Sequence, residues 1–426
     1  MNNELYTYRY KLPFRKPLRH ADGAIQQREG LILGDGKTIW TEIAPLPGFS
    51  LDTLEQATVF LHRFMDELQT HFQNRTINEF LEKTPVCGEL STLPSVRFGL
   101  SMIAEQQKAI EAGLPLYSWW QQEQQKAGTF RAVVRCSAVI GITGLQETLN
   151  RIKKYQNAGF TSAKLKLPDS VPDALSLITT VCNEFPKIKF RFDANASFSL
   201  PDAEVLFKSL VSQTTIPDHN GSHLPLSSCI SYIEEPLKDA TVSDLKKLGK
   251  YGIPLASDEY ARSPESVNKL LSHHATNTLI LKPTLFGAFS EIKRTLAIIN
   301  DSPTPNRTNE NNNQTGLPVI VSSGLESAVG NLLLTHIAAY IDSWREADHG
   351  LATRSLFASD ITLHDGSDDK TVPHSSDPAA SLQRNDGTDD TPSVSLPGAP
   401  GLGRYPFRES VTVSGGHCKI ISREKP

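Results

Sequence analysis

The chain has 426 residues, 38% hydrophobic and 21% charged, a length that implies two or three domains, although (β/α) barrels run past about 250 residues as one unit. Lysine and arginine number 43 against 47 acidic residues, a formal net charge of −4, which excludes general affinity for nucleic acid or an anionic membrane surface. No apolar run approaches the ~18 residues of a membrane span and the N-terminal MNNELYTYRYKLPF has no signal-peptide core; five scattered cysteines (Cys87, Cys136, Cys182, Cys229, Cys418), none in a C-x-x-C pair, read as reduced thiols of a cytoplasmic protein.

Residues 1–125 read as an α+β unit. Leu5–Leu12 alternates like a strand, and Gly30–Leu33 and Thr38–Ile43 form two more around a Gly34-Asp35-Gly36 turn. Leu54–Leu68 has apolar residues at helical spacing, with Asp52 and Thr53 as candidate caps, and a further helix runs from about Ser95 to Ala112 before Gly113. An antiparallel sheet followed by helices gives this class.

From about residue 126 to 359 short apolar strands alternate with helical stretches. The strands are Val133–Val139, Ala163–Leu167, Lys189–Asn195, Ser231–Glu235, Pro254–Asp258, Thr278–Lys282 and Pro318–Ser322, and a segment near His349–Leu351 completes an eighth. Seven or eight such units suggest a parallel barrel of the TIM type, (β/α)7β, with a doubly wound open sheet as the rival topology. Three polar stretches read as insertions: Ser212–Ser228, Asn300–Gly316 and the low-complexity 360–395. They carry too little apolar surface to offset chain entropy and so read as mobile or disordered. The first two join a helix to the next strand, which in a barrel is the face opposite the active site.

The chemically informative residues lie at the strand ends. Lys164 and Lys166 are two apart on one strand and share a face; Asp193 (RFDAN), Glu234 (YIEEP), Asp258 (LASDE), Lys282 (LILKP) and Ser322-Ser323 (VIVSS) end later strands. Singly, each has a plain reading: a strand-end aspartate is most often a helix cap, and a lone lysine is usually solvated. Together they are harder to dismiss, because a barrel gathers strand ends around one mouth. Three carboxylates flanked by lysines there present a charge problem that a divalent cation solves, and hard oxygen ligands suit Mg²⁺. No histidine or cysteine is placed for zinc; His273-His274 read as surface residues.

Such a metal can bind a substrate carboxylate and stabilise the charge that develops when the α-proton leaves. The base would be Lys166, with Lys164 and the metal as neighbouring cations that favour its neutral form. Lys282 would face the other side of the substrate.

In this order K-x-K, D-x-N, E-x-P, D-E and K-P-T resemble the enolase superfamily, whose sites pair lysine or histidine bases with Mg²⁺. Within it the chain is similar to the o-succinylbenzoate synthase family. The matching stretches are WTEIAPLPGFS (40–50), LPSVRFG (93–99), AKLK (163–166), RFDAN (191–195), IEEP (233–236), KPTLFG (282–287) and SSGLES (322–327). The resemblance implies a barrel with an N-terminal capping domain completed by the segment at about 396–426. It implies Asp193, Glu234 and Asp258 as Mg²⁺ ligands (Mn²⁺ a substitute), Lys166 as base and acid, Lys164 as its support, and Lys282 opposite. It places Ser322, Ser323 and Gly350 near the substrate, with Asn195 and Arg191 as further contacts. It also implies a mobile covering loop at about Arg15–Gln27 in which Arg19 is a contact.

The implied reaction is syn dehydration of a small carboxylate, 2-succinyl-6-hydroxy-2,4-cyclohexadiene-1-carboxylate, in menaquinone biosynthesis. Departures are Ser257 before Asp258 and Ala352 after Gly350-Leu351. The rivals are an N-acylamino acid racemase or dipeptide epimerase of the same superfamily and a non-catalytic metal-binding barrel, the last disfavoured because a structural site needs no lysine beside its metal.

Overall fold

The computed structural model describes residues 4–20, 23–83, 86–123, 133–141, 144–213, 225–302, 317–358, 360–361, 393–395 and 423–424. The predicted insertions therefore lie largely outside the described residues, as do Cys418 and most of the C-terminal segment.

The N-terminal unit is built on strands β1 (Tyr6–His20), β2 (Gly23–Gly34) and β3 (Trp40–Ile43), paired antiparallel in that order. The Asp35 carboxylate closes the β2–β3 turn by accepting from the backbone N–H of Lys37, Thr38 and Ile39. Helices α1 (Leu54–Asn74), α2 (Ile77–Glu82), α3 (Val86–Leu90), α4 (Pro94–Glu111) and α5 (Leu116–Glu123) follow. Thr53 caps α1 in a capping box with Gln56. Asp52 instead turns to the Ser95 N–H and hydroxyl at the start of α4.

The period-two pattern of the sheet decides its packing. Leu31, Leu33 and Ile43 join the core under α1–α4, whereas Tyr10, Leu12, Ile32 and Trp40 join the core shared with the barrel. The sheet is buried on both faces, which fixes the capping unit against the barrel. One expectation fails here: Arg15–Gln27 is mostly strand, since β1 and β2 pair out to His20–Gly23 past an irregularity between Pro13 and Leu18. Leu18 and Ile25 pack on the core from this hairpin, which is why it extends rather than looping free.

The second unit alternates β4 (Val133–Arg135), β5 (Ala138–Ile140), α6 (Leu145–Asn157), β6 (Ser162–Lys166), α7 (Val171–Glu184), β7 (Lys189–Asp193), α8 (Leu200–Ser212), β8 (Ile230–Glu234), α9 (Val242–Gly249), β9 (Leu255–Ser257), α10 (Pro264–Ser272), β10 (Thr278–Leu281), α11 (Pro283–Phe286), α12 (Phe289–Asp301), β11 (Val319–Val321) and α13 (Ala328–Asp342). Strands β5 to β11 are parallel neighbours in chain order. A doubly wound sheet reverses its order at a switch point; this one does not.

His349–Gly350 closes the ring, bridging Cys136 on one side and Ser322 on the other. The single strand expected over Val133–Val139 is thus two pieces. Its middle turns to the closing segment, with Ser137 N–H donating to the His349 carbonyl and His349 N–H to that of Arg135. His349 Nδ1 accepts from Val321 N–H and Nε2 meets Asp342, so the imidazole pins the closing segment to β11. Short strands β12 (Ser393–Ser395) and β13 (Arg423–Glu424) pair with β4 and β1. No described helix is long and apolar enough to cross a membrane.

Candidate active site

Register places the chemistry. Lys166 lies opposite Asp193, and Asp193 opposite Glu234, on three adjacent parallel strands. Glu234 lies opposite Ala256, so Asp258, two residues on, shares its face one step nearer the mouth. Two residues before Glu234, Asp258, Lys282 and Ser322, and on the same faces, Tyr232, Ala256, Ile280 and Ile320 join Ala347 in a small buried apolar plug. The plug excludes water from below, so the charged groups above sit in a poorly screened site.

There the charges pair. Lys164 Nζ is 2.9 Å from Asp193 Oδ2 and 2.8 Å from Glu234 Oε1, and Lys282 pairs with Asp258. Burial pulls the Lys164 ammonium down, but Asp193 and Glu234 outweigh it and hold it well above the ordinary lysine value. Lys282 is likewise raised: burial opposes, and Asp258 prevails. Burial also works against the Asp193 carboxylate, yet Lys164 holds it below its usual range. Glu234 goes the other way, pushed up to about 8 by burial, with Asp193 and Asp258 adding to the push against Lys164. Lys166 is half-buried, and its side chain has no ion-pair or hydrogen-bond partner among the described residues.

The expected metal ligands, Asp193, Glu234 and Asp258, are hard oxygen donors at the ends of neighbouring strands, the donor type that a hard cation takes. Among the described residues no three acidic, histidine or cysteine side chains stand together as a metal cluster, because Asp193, Glu234 and Asp258 are turned onto the two ammonium groups. One oxygen is left over: Glu234 Oε2, buried and without a hydrogen-bond partner. An orphaned carboxylate oxygen beside two further carboxylates is what a divalent cation satisfies.

The backbone after these strands is bent sharply. Asn195, Ala196 and Glu235 take positive φ of 44°, 54° and 41°, left-handed conformations that non-glycine residues adopt only when surroundings enforce them. Glu235, which sequence reasoning passed over, supplies part of that enforcement. Its carboxylate accepts from Asp258 N–H at 2.6 Å and Tyr260 N–H at 3.3 Å, fixing the Asp258 strand end; burial pushes the Glu235 carboxyl up to about 7. Phe49, in the PLPGFS segment of the capping unit, lies with its ring 5.5 Å from Lys282 Nζ, and Arg262 donates to its carbonyl at 2.9 Å. The motif was visible in the sequence; its place over the mouth was not.

The remaining expected contacts are distributed differently. Asn195 is exposed, with its N–H donating to Asp193 Oδ1. Arg191 is buried one step below the rung, donating to the Asp348 carbonyl with its guanidinium 5.5 Å from the Tyr232 ring. Arg19 pairs with Ala24 through its backbone, and its side chain lies outside the described residues. Ser322 and Gly350 touch: a Cβ on Gly350 would lie 3.0 Å from Ser322 Oγ and 3.4 Å from its Cα. Ser323 is buried.

A closed parallel barrel with acidic and ammonium groups gathered at the C-terminal ends of its strands, under a capping sheet, is the architecture in which barrel enzymes place their active sites. Residues 147–406 match the family described as Enolase C-terminal domain-like, and residues 2–107 match the MenC N-terminal domain; the chain belongs to the enolase superfamily. Among curated proteins it is 24% identical over 358 residues to the o-succinylbenzoate synthase of Enterobacter sp. (strain 638), covering 83% of this chain and 92% of that protein. It is 25% identical over 338 residues to that of Shigella sonnei (strain Ss046), covering 78% and 86%. Solved structures share the fold: the L-Ala-D/L-Glu epimerase from Bacillus subtilis at TM-score 0.70, 17% identity and 95% and 99% coverage, and the muconate lactonizing enzyme from Pseudomonas fluorescens at 0.69, 16%, and 94% and 95%.

Proposed function

We propose that this protein is a carbon–oxygen lyase that converts 2-succinyl-6-hydroxy-2,4-cyclohexadiene-1-carboxylate to 2-succinylbenzoate by syn dehydration, a step of menaquinone biosynthesis. The observation that carries the reading is the match of residues 2–107 to the MenC N-terminal domain, beside curated relatives named o-succinylbenzoate synthase at 24% and 25% identity over most of the chain. The lysines suit the reaction: Lys282 is ion-paired with Asp258, and Lys166 has no charged partner among the described residues. A one-base dehydration keeps Lys166 as the proton carrier throughout, whereas a racemase uses the same two lysines and has them exchange protons, so turnover decides between the two.

Asp193, Glu234 and Asp258 would hold Mg²⁺, which supplies Lewis-acid stabilisation of a bound substrate carboxylate. Lys166 Nζ takes the proton from the carbon next to that carboxylate and returns it to the leaving hydroxyl on the same face. One C–H and one C–O bond break, a C=C bond forms, and water departs. Lys282, opposite, stabilises developing negative charge, and Lys164 keeps Asp193 and Glu234 in place. The product is aromatic, so its stability favours the forward direction.

The test is turnover of the cyclohexadiene substrate by the purified protein with Mg²⁺, followed by ultraviolet absorbance, with loss of activity on chelation and recovery with Mg²⁺ or Mn²⁺. No turnover with either metal, together with rapid racemisation of N-succinyl amino acids, would replace this reading with the racemase one. A metal-binding chain inert to both substrates would leave the non-catalytic barrel.

A further inference from the structure

A serine hydroxyl has one proton to donate and two lone pairs to accept with, and Ser323 uses all three inside the protein. It donates to Glu326 Oε2 at 2.7 Å. It accepts from Leu325 N–H at 3.0 Å and from the Thr353 hydroxyl at 3.1 Å. Nothing is left for a substrate. Ser322, its neighbour, is half-buried and its hydroxyl has no partner among the described residues.

Glu326 is fully buried, and its other oxygen accepts from the Thr284 hydroxyl at 2.8 Å. Thr284 lies two residues after Lys282. Thr353 lies three residues after Gly350. One carboxylate therefore ties together the ends of β10, β11 and the closing segment. Leu325, between Ser323 and Glu326, takes a left-handed φ of 68° and is gripped from both sides, its N–H by Ser323 and its carbonyl by Arg28 Nε of the capping sheet at 3.2 Å.

We propose that Glu326 and Ser323 are positioning residues that set the strand ends carrying Lys282 and Ser322, and that Ser322 alone of the serine pair meets the substrate. This rests on the dehydratase reading given above and deepens it. Both groups act through neighbours, so their removal should disturb geometry at the reacting centre more than ground-state affinity.

The test uses the full chain with Mg²⁺ and the cyclohexadiene substrate. Ser322→Ala removes one contact and should raise KM roughly 2- to 10-fold, the worth of one hydrogen bond. Ser323→Ala and Glu326→Gln should each lower kcat about 10- to 100-fold, the scale of a displaced catalytic group, with KM moved less than about 3-fold. Their double variant should be no worse than the poorer single one, because residues in one network do not add. Should Glu326→Gln fail to fold, Thr284→Val removes a donor from the same carboxylate and should show the same non-additivity with Ser323→Ala. A KM rise in Ser323→Ala matching that in Ser322→Ala, additive with Glu326→Gln, would overturn the proposal. Amide hydrogen exchange judges it without substrate: Ser323→Ala and Glu326→Gln should speed exchange across 282–286 and 323–326, and Ser322→Ala should not. Wild-type protein that fails to turn over the substrate speaks against the dehydratase reading; unchanged exchange in both network variants speaks against the network.

Discussion

The two sides of the barrel mouth are built by different physics. On the side formed by β6 to β9, charge does the work: Lys164 holds Asp193 and Glu234, and burial leaves Glu234 short of a partner. On the side formed by β10, β11 and the closing segment, Lys282 stands at the edge of a neutral lattice of hydroxyls anchored on one buried carboxylate, Glu326. In the proposed reaction the charged side takes the cation and the proton transfer. The hydroxyl side holds shape. The first should lose function sharply when a single group is removed, and the second should lose it by degrees.

Lys166→Ala is the strongest challenge to that contrast. Removing a general base costs about 10²- to 10⁴-fold in turnover. Because the lysine has no described partner, the unfolding midpoint should stay within the small range of a surface substitution, about 0.5 kcal/mol. Steady-state kinetics and urea unfolding of the same preparation check both halves. Activity within a few-fold of wild type would take the base assignment away from Lys166 and erase the difference between the two sides.

The same contrast explains what could be read from the sequence. The charged side was legible because a lysine or acid at a strand end is conspicuous, and because parallel strands in chain order must bring their ends to one rim. Strand ends ran one or two residues long for Lys189–Asn195 and Ser231–Glu235, since Asn195 and Glu235 leave the strand through left-handed turns that composition does not announce. The hydroxyl side was half legible: Ser322 and Ser323 look alike in sequence, and only the partners of Ser323 separate them. Glu235, Glu326 and Phe49 owe their roles to contacts made by other segments. The hairpin at 15–27 was misread as a loop because its polar tip hides the inward-facing Leu18 and Ile25.

A smaller effect probes how the capping unit is joined to the hydroxyl side. Glu42 of β3 is buried and accepts from the Tyr10 hydroxyl, from Ser327 N–H and from Gly330 N–H at the start of α13. Burial pushes its carboxyl up, with donation from Ser327 and Tyr10 pulling back. Gly330 admits this approach: a Cβ there would lie 2.6 Å from both Glu42 Oε2 and Glu326 Cβ. Gly330→Ala should destabilise the protein by about 1–3 kcal/mol through overpacking, read as a lower urea midpoint. Unchanged stability would mean that Glu42 is not needed where it stands.

The mildest prediction concerns a histidine far from the charged rung, on the face of α13 against α5. His336 is fully buried and its Nδ1 accepts from Tyr117 N–H at 3.3 Å. Burial holds its pKa down at about 3, against roughly 6.5 in an unfolded chain. Below about pH 6.5 the unfolded state therefore binds a proton that the folded state refuses, so stability falls as pH drops. The contribution is intact at neutral pH and shrinks by about 2 kcal/mol on going to pH 5, from the shift and the linkage relation. His336→Gln retains an acceptor for Tyr117 and cannot titrate in this range. Urea unfolding of both proteins at pH 7 and pH 5 should show the wild type losing more stability than the variant. Equal losses would mean that α5 and α13 open enough to hydrate the imidazole, and that the junction behind the hydroxyl side is looser than its packing implies.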